Sequence, residues 1–141
     1  MIKRIWAFAF ALWMVFFSCS SAFAQTFGPV SSYDELSRAV ASAQSGDTIL
    51  LSGEISAESS EPLSTSAFIH LKSETGAVVR GLHLQDAALA FTGIALEDGM
   101  TVDGTSQISL GSGVTVSGAD GSVALAFSGN GALIVERGCE I

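Results

Sequence analysis

The sequence predicts an all-β fold, a short right-handed parallel β-helix of about four coils behind an N-terminal capping α-helix. Short apolar runs, rich in β-branched residues, recur between Gly, Ser and Asp from residue 67 onward. These runs repeat at a spacing close to twenty residues, and a short amphipathic segment precedes them. None is long enough for an ordinary helix. A coil of three short strands, stacked on the coil before it, accounts for these observations.

Residues 1–24 have the organisation of a cleaved export signal. Lys3 and Arg4 form a positively charged start, and an unbroken apolar run of 13 residues follows at 5–17. The run is too short to remain in a bilayer as a permanent helix. Ala-Phe-Ala at 22–24 carries the small-x-small pattern after which signal peptidases cleave. We therefore expect export to the periplasm, the cell surface or the medium, and no stable membrane span.

Cleavage after Ala24 leaves residues 25–141, a length of 117 residues that suits one domain. The formal net charge moves from −8 to −10, because two basic residues and no acidic one leave with the signal. Phosphate binding requires clustered Lys and Arg, so nucleic acid is excluded as a partner. Cys19 also leaves, and Cys139 then has no partner for an intrachain disulfide. A lipoprotein acylated at Cys19 is the alternative processing.

The capping helix is expected at about residues 32–45. Ser32 and Glu35 have capping-box spacing, in which a hydroxyl accepts from the third helical N–H and a carboxylate reaches back. Gly46 lies where a left-handed residue would end the helix, and an apolar strand follows at 49–51. One face carries a narrow stripe of small apolar residues, namely Leu36, Ala39, Val40 and Ala43.

The coils are expected over residues 47–141, about one strand spacing of 4.8 Å apart. Residues twenty apart would then form inward ladders, with glycines at the corners where a positive φ is needed. An antiparallel β-sandwich is the alternative, because it also combines short strands with glycine turns. The predicted ladders are Ile49, Ile69, Leu89 and Leu110; Leu82, Val102 and Val123; and Ile94, Val114 and Ile134.

The helix followed by the sequence GDTILL at 46–51 resembles the N-terminal cap of pectin-lyase-like parallel β-helix proteins. The resemblance extends over 31–135 and implies a helix that plugs the open end of the coil stack. A second match concerns the C-terminal region. Phe127-Ser128-Gly129-Asn130 fits the FxxN motif of polymorphic outer-membrane autotransporter passengers, and the following 131–133 partly resembles their GGA[IL] motif.

The lyase resemblance implies a basic proton abstractor and carboxylates that hold calcium on one sheet. The family's motifs do not match the basic and acidic residues of this chain. The Asp-Gly pairs at 98, 103 and 120 predict turns. His70 and His83 alternate with apolar neighbours, which predicts outward-facing surface histidines. We therefore assign no catalytic, cofactor-binding or metal-binding residue. The candidates considered were Lys72, Arg80 and Arg137 as bases, and Asp86, Glu97, Asp98 and Asp103 as carboxylates.

These observations favour an exported, non-catalytic β-helix segment of the adhesin or autotransporter-passenger type, with a glycan or host-surface ligand and no cofactor. Two alternatives remain open: the N-terminal part of a polysaccharide lyase or glycoside hydrolase that lacks its catalytic coils, and a gene fragment without a function of its own. No C-terminal cap is recognisable after the apolar strand at 132–135. An uncapped edge exposes strand backbone, so we also expect end-to-end self-association there.

Overall fold

The computed structural model describes residues 24–57, 61–120 and 122–141. The predicted export signal lies outside the described residues, apart from Ala24. Most of the described chain is β-strand, and its one short helix, α1, spans Tyr33–Ser42. The strands are β1 (Thr26–Val30), β2 (Thr48–Leu51), β3 (Glu54–Ser56), β4 (Leu63–Lys72), β5 (Val78–Thr92), β6 (Ala95–Asp103), β7 (Gln107–Leu110), β8 (Thr115–Val116), β9 (Leu125–Phe127) and β10 (Ala132–Val135).

The ten strands belong to one curled sheet in which every pair is parallel. This confirms the all-β prediction and its parallel strands, and it excludes the antiparallel sandwich. A parallel pair needs a long crossover between its strands. Accordingly, paired residues here are between 17 and 25 apart in sequence, as in Val78–Ala95 and Met100–Leu125.

The pairings fall into three columns of strands. The first column contains β1, β2, the ends of β4 and β5, β7 and β10. The second contains β3, the starts of β5 and β6, and β8. The third contains the start of β4, the middle of β5, the end of β6, and β9. The long strands β4, β5 and β6 therefore each serve more than one column.

Residues with positive φ divide the long strands where the chain passes between columns. In β5 these are Gly81 (φ 64°) and Asp86 (φ 50°), and in β6 they are Asp98 (φ 60°) and Gly99 (φ 85°). Glycine reaches this region without steric cost, and aspartate tolerates it because its short side chain bonds locally. The Asp86 carboxylate also accepts, at 2.8 Å, the N–H of Thr105, which lies 19 residues further along the chain.

Only part of the predicted first ladder has the correct register. Ile69 pairs with Leu89 as expected. Ile49, however, pairs with Leu71, and Leu110 lies two residues beyond the partner of Leu89. The predicted step of twenty is an average over connections of different length, so a constant step loses register from one strand to the next.

The second predicted ladder is wrong. Leu82 pairs with Met100, and Val102 pairs with Leu84, so the two predicted neighbours are offset by two residues. Val123 is exposed and lies outside the strands, before β9. The cause is a short connection: the two strands are offset by eighteen residues here rather than twenty.

The third predicted ladder is correct in its first two members. Ile94 and Val114 are both fully buried, and the N–H of Thr115 donates to the carbonyl of Ile94. Ile134 is wrongly placed, because it pairs with Ser109 in the first column and is 58% exposed. The chain between β7 and β10 is longer than the connections between the other paired strands of the first column. Ile134 is therefore shifted to a different column from Val114.

The start of α1 agrees with the sequence prediction. Ser32 is the N-cap, and its Oγ accepts the N–H of Glu35 at 3.3 Å. The carboxylate of Glu35 reaches back as expected but accepts the N–H of Ser31, one residue before the predicted donor. These bonds satisfy N–H groups that have no partner inside the helix.

The end of α1 differs from the prediction, which extended the helix to about residue 45. Ala43 is the C-cap in an extended conformation, with φ −74° and ψ 151°. Gly46 does have a positive φ of 92°, but it lies in the turn beyond the helix, where its N–H donates to the carbonyl of Phe68. The contact with β4 therefore takes Gly46 away from the helix end.

Apolar side chains that alternate along the strands form the core. Leu36 and Val40 of α1 join it, and α1 contacts β1, β2 and β4. Burial decreases at the opposite edge, where Leu110 is fully buried but its neighbour Val135 in β10 is 47% exposed. Over the described residues, α1 and the rest of the chain provide no helix long and apolar enough to cross a membrane.

Candidate functional site

Each column carries one polar cluster on its outer surface. On the second column, Arg80 contacts three carboxylates from neighbouring strands. Its Nε lies 2.6 Å from Glu54, and its two terminal nitrogens lie 2.8 Å from Glu97 and 3.2 Å from Asp98. Hydrogen bonds to Glu54 and then Asp98 raise the pKa of the Arg80 guanidinium. Arg80 was one of the bases considered from the sequence, and this environment makes it a fixed cation instead.

On the third column, Asp103 lies between His83 and Ser128. Its Oδ2 is 2.6 Å from His83 Nε2, and its Oδ1 accepts the Ser128 hydroxyl. Nucleophilic catalysis by serine requires the imidazole, not the carboxylate, next to the hydroxyl. The Ser128 hydroxyl and then His83 hold the pKa of Asp103 below its usual value, which weakens it as a base. This order of groups does not activate Ser128.

On the first column, His70 Nε2 lies 2.7 Å from the Thr92 hydroxyl on the neighbouring strand. Burial, and then the charge of Lys72, lower the pKa of His70, while Glu136 acts in the opposite direction. The imidazole is therefore neutral at pH 7. Both histidines lie on outer surfaces, as the alternation predicted, but each is bonded to the next strand.

The remaining candidates do not converge on one site. Lys72 makes an exposed ion pair with Glu74 at 3.8 Å. Asp86 lies at the positive-φ position that divides β5, and Arg137 is exposed in the turn after β10. Within the described residues, no group of three His, Cys, Asp or Glu side chains is placed to hold a metal ion.

An apolar groove crosses the outer surface of the first column. It has a volume of about 350 Å³ and is lined by Phe68, Gln107, Ile108, Ser109, Ala132 and Ile134. We call it the outer groove. Ala88 pairs with both Phe68 and Gln107. The small alanine thus leaves space between an exposed aromatic ring and a carboxamide.

A second outward-facing set of paired residues lies beside the first, and its Ser109 and Ile134 also line the groove. His70 pairs with Ala90, Ala90 with Ser109, and Ser109 with Ile134. Phe68 is 46% exposed, so its ring is available to a ligand. Alanine again occupies the position between β4 and β7, as it does in the first set.

The sequence analysis did not identify the outer groove. Phe68 belongs to the apolar run FIHL, in which the alternation with His70 does place it on the outer side. Its neighbours across the sheet, however, depend on the register. Glu54 was missed at the Arg80 cluster for the same reason, since it lies 26 residues away.

No protein-family model matches the chain, and no similar curated protein or solved structure was found.

Proposed function

We propose that the chain is an exported, non-catalytic β-helix of the adhesin or autotransporter-passenger type, and that its outer groove binds a glycan of a host or cell surface. The observation that carries the proposal is the outer groove itself. It combines the exposed aromatic ring of Phe68 with the hydrogen-bonding side chains of Gln107 and Ser109 on the outer surface of a parallel sheet.

The three columns support the finer description of the fold. Strands that return to the same column after 17 to 25 residues suit coils of three strands. Crossovers between parallel strands are right-handed in nearly all proteins, so we assign a right-handed parallel β-helix. The burial of Leu36 and Val40 supports α1 as its N-terminal cap, like the helix of pectin-lyase-like proteins.

The side chains of the outer groove suit a sugar ring. The apolar face of a pyranose can lie on the ring of Phe68, because aromatic side chains bury a large area at low conformational cost. Gln107 and Ser109 present an amide and a hydroxyl that can exchange hydrogen bonds with sugar hydroxyls. Ala88 and Ala90 keep the floor low enough for the ring to approach the sheet.

Strand spacing favours a polymer over a single sugar. Equivalent residues in one column repeat at about 4.8 Å across the sheet. A chain that crosses the strands therefore meets one outward-facing side chain at each step, such as Phe68 on β4 and Gln107 on β7, and weak contacts can add along it. The pairing of Arg80, His83 and His70 with side chains on neighbouring strands supports binding over catalysis, since these groups are already engaged.

The test is binding of the chain from Gln25 to an array of soluble polysaccharides, followed by calorimetry on any ligand found. We expect Phe68→Ala to weaken binding by roughly tenfold, which corresponds to the loss of one aromatic contact. Thr101→Ala, an exposed residue on the outer surface of the third column, is the matched control and should leave affinity unchanged.

Binding that is unaffected by Phe68→Ala and by Gln107→Ala would contradict the outer groove as the site. Activity assays on pectin, alginate and glucans, with and without calcium, distinguish this proposal from the alternative of a polysaccharide lyase or glycoside hydrolase. We expect no release of unsaturated or reducing sugars. Release that disappears in Lys72→Ala or Arg80→Ala would replace the adhesin proposal with a polysaccharide lyase.

A further inference from the structure

Asp47 immediately precedes β2 and is a buried carboxylate, only 4% exposed. Its Oδ1 accepts the backbone N–H of Gln25, and its Oδ2 accepts that of Gln44, both at 2.8 Å. These two bonds, that of Gln25 first, lower the pKa of Asp47. The carboxylate is therefore charged at neutral pH.

Within the described residues, the ion pairs do not include Asp47. A charge that is largely removed from water is usually paired with an opposite charge, because hydrogen bonds from neutral groups compensate only part of its lost hydration. Asp47 is thus held by two neutral donors in a place where a cation would bind well.

The nitrogen of Gln25 is the atom that export processing would convert into a cation. Hydrolysis of the Ala24–Gln25 bond adds the elements of water: the hydroxyl goes to the Ala24 carbonyl carbon and the proton to the Gln25 nitrogen. The resulting amine takes up a further proton at neutral pH, because an α-amino group has a pKa of about 7.7–8.0. The N–H donor to Asp47 then becomes an ammonium group.

Backbone hydrogen bonds hold Gln25 in place next to the Asp47 carboxylate. Its carbonyl accepts the N–H of Thr48 at 2.8 Å, and Thr26 pairs with Thr48 in the sheet. Ala24 and the side chain of Gln25 are exposed, so the bond between them lies at the surface. Cleavage therefore leaves the new amino group next to Asp47 with little loss of conformational freedom.

We propose that Ala24–Gln25 is the processing site and that the α-ammonium group of Gln25 forms an ion pair with Asp47 that fixes β1 to β2 beneath α1. The inference rests on the proposed export by a cleaved signal. Its ligand is the chain's own processed terminus. An acyl-Cys19 lipoprotein would retain the neutral amide at Gln25 and could not form this pair.

The ion pair has a defined pH dependence. The carboxylate raises the pKa of the amino group in the folded state above its unfolded value of about 8. The stabilisation is therefore complete below about pH 8 and is lost as the pH rises through the folded-state pKa. A chain with a blocked amino group has no such transition.

The experiment is a double-mutant cycle in urea. Chains that begin at Gln25, released from a cleavable fusion, are compared with the same chains acetylated at the amino terminus, each with and without Asp47→Asn. We expect acetylation to reduce the folding equilibrium constant of the wild type roughly two- to fivefold at pH 7. It should have no effect in Asp47→Asn. Asp120→Asn, an exposed turn residue, is the control and should behave like wild type.

Equal effects of acetylation in both backgrounds would overturn the ion pair. If Asp47→Asn fails to fold, the comparison of free and acetylated wild type between pH 7 and pH 10 decides instead. Intact mass identifies chains whose Gln25 has cyclised with loss of ammonia, since their lactam nitrogen carries no charge. The mass of exported protein tests export separately: a product that starts elsewhere refutes the processing site, whatever the cycle shows.

Discussion

At the scale of single residues, stacking explains why chemistry-bearing side chains are engaged with one another. Side chains on neighbouring strands of a column are about 4.8 Å apart, so like charges in register would repel. On the second column, the positive charge of Arg80 instead lies between Glu54 on one neighbouring strand and Glu97 on the other. The charge of Arg80 therefore partly balances the charges of two carboxylates, and this pairing extends across three strands.

Val114 tests the inward ladder at the residue scale. It is fully buried next to Ile94, and Val114→Asp would place an unpaired charge in the core. We expect a loss of about 4 kcal/mol or more in the free energy of unfolding, which abolishes folding of a marginally stable domain. Circular dichroism during urea unfolding measures it.

Ser112→Asp is the matched control for that substitution. Ser112 is exposed in the turn just before Val114, and a charge there remains in water. The free energy of unfolding should change by no more than about 0.5 kcal/mol. Comparable losses in the two variants would mean that Val114 does not face the core.

At the scale of elements, the two ends of α1 differ in what determines them. Ser32 and Glu35 define the start through bonds to residues close in sequence, and such local chemistry can be read from sequence. Beyond the end, the chain is held both by a local turn over residues 44–47, whose first and last residues bond each other, and by the bond from Gly46 to Phe68 on β4. The contact with a distant strand cannot be inferred from the helix itself.

The same distinction separates the correct from the wrong strand pairs. The existence of short strands follows from apolar runs and glycine punctuation, and their spacing near twenty residues favours parallel pairing. The register depends on how many residues each connection uses, and these connections vary. Ile69 and Leu89 were paired correctly because their connection happens to match the average. The outer groove and the role of Glu54 depend on register, so neither could be predicted.

Leu36 tests the helix as an element. It is fully buried where α1 meets the strands, so Leu36→Ala leaves a cavity there. We expect a loss of about 2–5 kcal/mol in the free energy of unfolding. Arg38→Ala, exposed on the same helix, should change it little because alanine favours helix. Coincident urea midpoints for the two variants would show that α1 contributes nothing to the cooperative unit.

At the scale of the whole molecule, the two ends of the sheet are unequal. α1 packs beside β1 and β2, whereas in the described chain β10 pairs with β7 alone. Ala132 and Glu136 donate their N–H groups toward β7. Successive backbone groups of a strand point to opposite sides, so those of Leu133 and Val135 point away from it. The C-terminal edge is therefore open to a further strand.

We expect the chain from Gln25 to associate through this edge. With α1 as the proposed cap of the other end, association should join two C-terminal edges about a two-fold axis and stop at dimers. Salt should strengthen it, since residues 25–141 carry a formal net charge of −10 in each copy. Light scattering on the reduced protein over a range of concentration measures the dimer.

Cys139 provides an independent readout of the same dimer. It is half-buried near the edge, and burial followed by the charge of Glu140 raises the pKa of its thiol. Oxidised glutathione should cross-link the wild type slowly and leave Cys139→Ser unlinked on non-reducing gels. A monomer at all concentrations, with no cross-link, would mean that the edge is protected.

The parallel ladders also determine how the molecule would respond to mechanical force. The two ends of the described chain lie at opposite edges of the sheet, β1 in the first column and Glu140 next to β8 in the second, so a pull on them acts along the hydrogen bonds between strands. Those bonds then open one after another instead of sharing the load. Each strand that detaches frees 17 to 25 residues of slack, roughly 60–90 Å when extended. A surface protein built this way would lengthen in steps under tension and absorb work at each one.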